Sequence, residues 1–261
     1  LITEKNIVIK LPDSVPEMVS ESLSSLLAGV IIAIVFLIFR ALFAVTPYGN
    51  ATDCIYTIIQ TPLQSLTGNL PAFIIIILIA QLLWFFGIHG SMTVLPILFP
   101  IWLSYIGDNT AAMAAGKTIP HVLNIGLWDL ANLGGSGATI GLVILMFFKA
   151  KSNQYKSFGK LTLPCGIFSV NEPVIFGLPV ILNPIMLIPF IICPIVLVCL
   201  GYALIQFGIV TAPIGILGLG SMPPLISGIM QGSLSWGIYQ LVAVVISIII
   251  YYPFFKTIDN Q

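Results

Sequence analysis

Residues 171–184 read NEPVIFGLPVILNP, and the single charged side chain in that stretch decides how the rest of the chain is read. Glu172 heads a run, Pro173 to Phe255, that contains no Asp, Glu, Lys or Arg. A carboxylate in hydrocarbon costs roughly 2.5 to 3.5 kcal/mol at mid-membrane even on lenient insertion scales, so it persists there only where something polar needs it. The stretch therefore points to a ligand or ion site inside a membrane protein. Composition agrees: 58% of the 261 residues are apolar and 7% charged, where soluble domains carry about 25% charged residues. The formal net charge is zero, which argues against a nucleic-acid partner or a general attraction to acidic surfaces.

Working outward, Glu172 sits in a broken apolar element from Leu161 to Pro179, with Ser169, Asn171, Pro173 and Gly177 at its centre. Pro and Gly around a polar cluster predict a hairpin or unwound helix, which a membrane tolerates only where the backbone faces protein or water. Upstream, a first span is predicted over residues 22–45, with Arg40 able to snorkel to the interface. Residues 46–68 place Ile55, Ile58, Ile59 and Leu63 at helical spacing and predict an interfacial amphipathic helix. A second span is predicted over residues 70–88, ending in WFFGIHG. Met92 to Tyr105 follows, with Pro96 and Pro100 inside it, and reads as too short and too proline-rich to cross, hence re-entrant.

A helix is expected from Leu133 to Phe148, with Asp129, Trp128 and Asn132 able to cap its start. It leads into Lys149, Lys151, Lys156 and Lys160, a basic cluster without acids that belongs in the cytoplasm. Further membrane segments are expected over residues 181–207, 211–224 and 234–255. Leu1 to Leu11 alternates weakly, as a surface strand does, before Pro12 and Pro16. A pair of interrupted segments, one at His89 and one at Glu172, is the pattern of a transporter binding site.

Other motifs carry less chemistry. Gly134-Gly135-Ser136-Gly137 lacks the strand and the spaced Lys of a phosphate loop, so close helix packing is its expected use. Cys54, Cys165, Cys193 and Cys199 show no metal-ligand spacing and read as small hydrophobes. His121 lies in a polar loop after Lys117 and reads as an ordinary loop histidine. No metal or cofactor is implied.

GIHG at residues 87–90, GGSGATIGLVILM from Gly134, NEPVIFGLPVILNP and YYPFF from Tyr251 resemble the membrane component IIC of the bacterial sugar phosphotransferase system, in its lactose, cellobiose and diacetylchitobiose branch. The resemblance runs over nearly the whole chain. It implies an all-α integral membrane protein, a polytopic bundle with re-entrant hairpins in the bacterial plasma membrane. Residues 1–21 would be a surface segment and 22–261 the C-terminal sugar-binding half, with the N-terminal dimerisation half absent and a homodimer expected for the full-length protein. It also implies a β-linked disaccharide as substrate and a cytosolic IIB protein as phosphoryl donor.

On the residues that match its motifs, the resemblance makes Glu172 and His89 the catalytic candidates, with Asn171 beside them in sugar binding. The chemistry is defensible independently. A carboxylate and a carboxamide supply acceptors and donors to sugar hydroxyls, and a neutral imidazole can do both. Trp84, five residues before His89, and Trp236, at the head of the last helix, are further substrate-binding candidates because aromatic faces stack on pyranose rings. Two other readings remain open: an ion-coupled transporter with Glu172 as the proton carrier, and a fragment without activity of its own. The lysine cluster is directly testable. A Ser157→Cys probe in a cysteine-free background should resist an impermeant thiol reagent in intact cells, and labelling there would overturn the predicted orientation.

Overall fold

The computed structural model describes residues 17–51, 53–54, 68–178 and 180–259. No strand occurs among the described residues. Most of the predicted surface segment and of the predicted interfacial helix, residues 1–16 and 55–67, lie outside them. Two compact units emerge, residues 1–61 and 62–261.

The first unit contains α1, Glu17–Ala44, a 28-residue helix about 42 Å long at the usual rise. Helix α1 thus starts before the predicted span and takes in Glu17 to Glu21. Leu26, Phe36, Leu37, Phe39 and Leu42 are all exposed on it. Beyond its end, the N–H of Asp53 donates to Oδ1 of Asn50 and Asn50 Nδ2 donates back to the Asp53 carboxylate, both at 2.7 Å, which starts a new helical turn.

The second unit is built from α2 (Leu70–Phe85), α3 (Gly90–Ala114), α4 (Ile125–Ala131), α5 (Ile140–Lys149), α6 (Asn153–Ile167), α7 (Glu172–Gly177), α8 (Pro184–Gln206), a 3-10 turn at Leu219–Ser221, α9 (Ile226–Met230) and α10 (Leu234–Asp259). Helices α3, α8 and α10, of 25, 23 and 26 residues, are long and apolar enough to cross a membrane. Their outer faces expose Ile97, Phe99, Leu103, Ile188, Ile192, Leu241, Val245 and Ile249, a surface that only lipid or protein can cover. Their inner faces bury Leu98, Trp102, Phe190, Leu197, Trp236 and Tyr251.

One expectation fails here. Met92 to Tyr105 is not re-entrant but the first part of α3, which runs unbroken through Pro96 and Pro100. Each proline removes one backbone hydrogen bond, but membrane helices tolerate that when neighbouring helices pack around the gap. Leu98, Ile101 and Trp102, all buried, provide that packing. The helix expected from Leu133 is a second correction. Residues 132–139 form turns and the helix begins only at Ile140, because Gly134, Gly135 and Gly137 all adopt positive φ.

Polar side chains face inward and tie down the irregular backbone. Asn109 and Asn124 donate to the carbonyls of Ile214 and Pro213, each at 2.8 Å. Gln231 accepts from the N–H groups of Gly215 and Ile216 and donates to the Ile216 carbonyl. The irregular backbone of residues 213–216 therefore finds partners for its polar groups in apolar surroundings.

Helix α5 packs on α6 and α10, and α10 also packs on α8 and α9. The α5–α10 crossing is close because Gly141 faces the backbone of Ser247 and Ile248 and leaves no room for a Cβ. The Gly141 N–H donates to Ser247 Oγ at 3.0 Å, and that hydroxyl donates to the Ala138 carbonyl at 2.7 Å. Gly141→Ala should lower stability by about 1 to 3 kcal/mol through overpacking. A thermal melt of the detergent-solubilised protein should show the loss, and an unchanged melt would refute the close crossing.

Candidate functional site

Two helix breaks and one helix junction meet in the second unit. At the junction, Gly87 takes φ +80 and closes α2. Gly90 then opens α3 against the Ala80 backbone, where no side chain fits. Between them His89 is the N-cap of α3, its Nδ1 accepting from the N–H of Met92 at 3.1 Å. A ring nitrogen that accepts carries no proton, so the neutral ring bears its hydrogen on Nε2. That nitrogen lies 3.6 Å from Oε1 of Glu172.

Glu172 is the first residue of α7, with Pro173 behind it to fix the start of the helix. The break between α6 and α7 is made at Ser169, a non-glycine residue with φ +59. It docks onto the break between α4 and α5. The Gly134 N–H donates to Ser169 Oγ at 3.2 Å, and Asn171 Nδ2 donates to the Ser136 carbonyl at 2.7 Å and to Thr139 Oγ1 at 2.8 Å. Gly135 lies so close to the Asn171 carboxamide that a Cβ would overlap it. The two breaks thus satisfy each other's polar groups, and Gly135 permits the approach.

Where they meet is a cavity of about 220 Å³. His89, Ser91, Asn132, Ser136, Ser169, Asn171 and Glu172 line it, with Trp128 and Asp129 from α4 and Gly218, Gly220 and Ser221 from the 3-10 turn region. No Lys or Arg is among the lining residues. The Oε2 atom of Glu172 is out of solvent and has no hydrogen-bond partner, an arrangement that costs free energy until a donor arrives. Acceptors and hydroxyls outnumber cations at this wall, which suits a neutral polyhydroxyl ligand better than an anion.

The family profile "Phosphotransferase system, EIIC" matches residues 2–194. The chain belongs to this family. Among its relatives are a lichenan permease IIC component of Bacillus subtilis (strain 168), 39% identical over all of this chain and 58% of its own length. A cellobiose-specific EIIC component of Geobacillus stearothermophilus is 39% identical, over all of this chain and 59% of its own. The crystal structure of the transporter ChbC, the IIC component from the N,N'-diacetylchitobiose-specific phosphotransferase system, superposes with a TM-score of 0.76 at 38% identity, covering all of this chain and 61% of that one. The chain therefore spans about three-fifths of the length of the relatives it matches.

Within this EIIC chain, the sequence-derived residues separate. His89, Glu172 and Asn171 do come together at the cavity, although Asn171 is buried and spends both amide hydrogens on the α4–α5 break. Its amide group holds the loop in place. Trp84 is buried and packs its ring on that of His89, centroids 4.2 Å apart, behind the cavity wall. Trp236 is fully buried on α10, beside Tyr239, and does not line the cavity. The tryptophan that does line it is Trp128, which sequence reasoning considered only as part of a helix cap.

That cap does not exist. Asn124 and Thr139 occupy the N-cap positions of α4 and α5, and Asp129 has an oxygen with no partner. His121, as expected, is a loop residue: it stacks on Tyr105 and contacts Asp108 at 2.9 Å. The free cysteines form no disulfide, and no cluster of His, Cys, Asp and Glu suited to a metal ion occurs among the described residues.

His89 thus does two jobs that substitution can separate. His89→Asn keeps an acceptor for the Met92 N–H and should retain nearly full stability, whereas His89→Ala should lose about 1 kcal/mol with the cap. Both remove the group facing Glu172, so both should lose ligand binding. Equal melting temperatures for the two variants would remove the cap from His89's role.

Proposed function

We propose that the protein is the sugar-translocating IIC component of a phosphotransferase system in the bacterial plasma membrane, spanning it several times and taking up a β-linked disaccharide. The observation that carries the proposal is the approach of His89 Nε2 to Glu172 Oε1, 3.6 Å apart, at a cavity lined by hydroxyls and amides but by no lysine or arginine. Family membership supports it, as do relatives whose names specify cellobiose, lichenan and oligo-β-mannoside. A homodimer, a surrounding bilayer and a cytosolic IIB protein are the partners this reading includes.

The chemistry follows from the two side chains. A sugar hydroxyl donates to the Glu172 carboxylate at the cavity wall, and the Nε2–H of His89, 3.6 Å from Oε1, is placed to donate to the same sugar. The sugar then moves to the cytoplasmic face. There the C6 hydroxyl oxygen attacks the phosphorus of a phosphocysteine on IIB. The S–P bond breaks as the O–P bond forms, the thiolate leaves with the bonding pair, and the hydroxyl proton passes to Glu172. Phosphoryl transfer depends mostly on positioning and charge stabilisation, so a well-held hydroxyl and a nearby base are what the membrane protein has to supply.

Membrane vesicles containing the protein provide the test, with labelled disaccharide and with or without the soluble phosphotransfer proteins. Sugar phosphate should form only when those proteins are present. Glu172→Gln should cut binding by about ten- to a hundredfold, the value of a charge-assisted hydrogen bond, while the protein still inserts. Free sugar accumulating on a proton gradient without the soluble proteins would instead make Glu172 a proton carrier.

A further inference from the structure

A second polar cluster faces the cavity of His89 and Glu172, and the chemistry proposed above uses none of it. Ser91 comes from the first turn of α3, whereas Asn132 and Ser136 come from the break between α4 and α5. All three line the cavity. Ser91 Oγ and Ser136 Oγ lie 3.0 Å apart, and they approach Asn132 Oδ1 at 3.5 and 3.3 Å respectively. Asn132 Nδ2 donates to the Trp128 carbonyl at 2.8 Å, which turns the carboxamide oxygen toward the serines. Among the described residues the two hydroxyls bond only within this cluster.

The cluster is rich in acceptors and short of hydrogens. A serine hydroxyl carries one hydrogen and two lone pairs, and a carboxamide oxygen only accepts. One hydroxyl hydrogen therefore lies between the serines and the other points to Asn132. Whichever serine begins this chain accepts from nothing in the protein. Ser91 and Ser136 are 7% and 6% exposed, so bulk water has little access to supply the missing donor. An O–H group entering the cavity supplies it, and a buried acceptor gains most from such a partner.

We propose that Ser91 and Ser136 are specificity-determining residues that together accept a hydrogen bond from one ring hydroxyl of the sugar, other than the C6 hydroxyl held at Glu172. No hydrogen bond joins the cluster to His89 or Glu172, so it is a separate point of attachment on the same wall. Two points fix the orientation of a ring where one does not. With the serine pair holding a second hydroxyl, the C6 hydroxyl is presented to Glu172 in one orientation, which is what positioning for phosphoryl transfer requires.

This inference rests on the disaccharide reading given above, and one experiment distinguishes the two. Equilibrium binding to the purified protein is measured for cellobiose, β-mannobiose and N,N'-diacetylchitobiose, and then for each monodeoxy analogue of whichever binds most tightly. In wild type, removal of one ring hydroxyl other than that on C6 should weaken binding by about tenfold, the value of a neutral hydrogen bond. Ser91→Ala should bind the parent sugar about tenfold more weakly, yet bind that one deoxy analogue as well as wild type does. Ser136→Ala should show the same pattern at the same ring position, because the hydroxyls act as a pair. The loss caused by 6-deoxygenation belongs to Glu172 and should persist in both variants.

A serine pair that merely ties α3 to the α4–α5 break would weaken parent and analogues by one common factor, which overturns the proposal. Unchanged binding of the parent sugar by both variants overturns it as well. If wild type is sensitive to no hydroxyl besides that on C6, the serine assignment is wrong while the disaccharide reading stands. Failure of wild type to bind any of the three sugars would sink the disaccharide reading, and this inference with it.

Discussion

The donation of the Asn171 amide to the Ser136 carbonyl and the Thr139 hydroxyl holds the site together. Two helices are interrupted in apolar surroundings, and each interruption exposes backbone groups that hydrocarbon cannot solvate. One break alone would be costly. Facing each other, they exchange hydrogen bonds through Asn171, Ser169 and Thr139, and Gly135, without a side chain, lets the Asn171 carboxamide come close enough to do so. Glu172 follows directly after Asn171, so the lock that satisfies the breaks also aims the carboxylate.

His89 reaches the same place by another route. The α2–α3 junction needs an acceptor for the Met92 N–H, and the imidazole supplies it with one nitrogen while presenting the other to Glu172. Further along, the α2 C-terminal end is tied to the segment after α7, the Leu182 N–H donating to the Phe85 carbonyl at 3.1 Å. The two arms of the site are thus connected through the backbone. A cavity walled by an imidazole, carboxylates, hydroxyls and amides, without lysine or arginine, results from these local needs and suits a neutral, hydroxyl-rich ligand.

The remaining polar interior performs the same task elsewhere. Gln231, Asn109 and Asn124 bind the carbonyls and N–H groups of residues 213–216, so a Gly- and Pro-containing stretch is held beside the helices. Buried polar side chains in this protein chiefly serve backbone that is not helical. Gln81, Asp129 and Glu172 differ because each keeps a side-chain polar atom that the protein does not satisfy.

Composition and the charge-free run after Glu172 by themselves determined that the chain is helical, apolar outside and built around a polar site, because hydrocarbon excludes both charge and unpaired backbone. The NEP and IHG motifs identified Glu172 and His89 because each interrupts an apolar segment. Proline and glycine both misled: Pro96 and Pro100 look like breakers, but surrounding side chains carry α3 through them, whereas the positive φ of Gly134, Gly135 and Gly137 stops the helix predicted to begin at Leu133. Only the tertiary structure decided which tryptophan reaches the cavity. Trp84, Trp128 and Trp236 are chemically alike, and what separates them is the direction each helix turns its side chain relative to a cavity formed by segments far apart in sequence. The same holds for Asp129, whose buried Oδ2 lacks a hydrogen-bond partner, which no spacing rule reveals before the chain is folded.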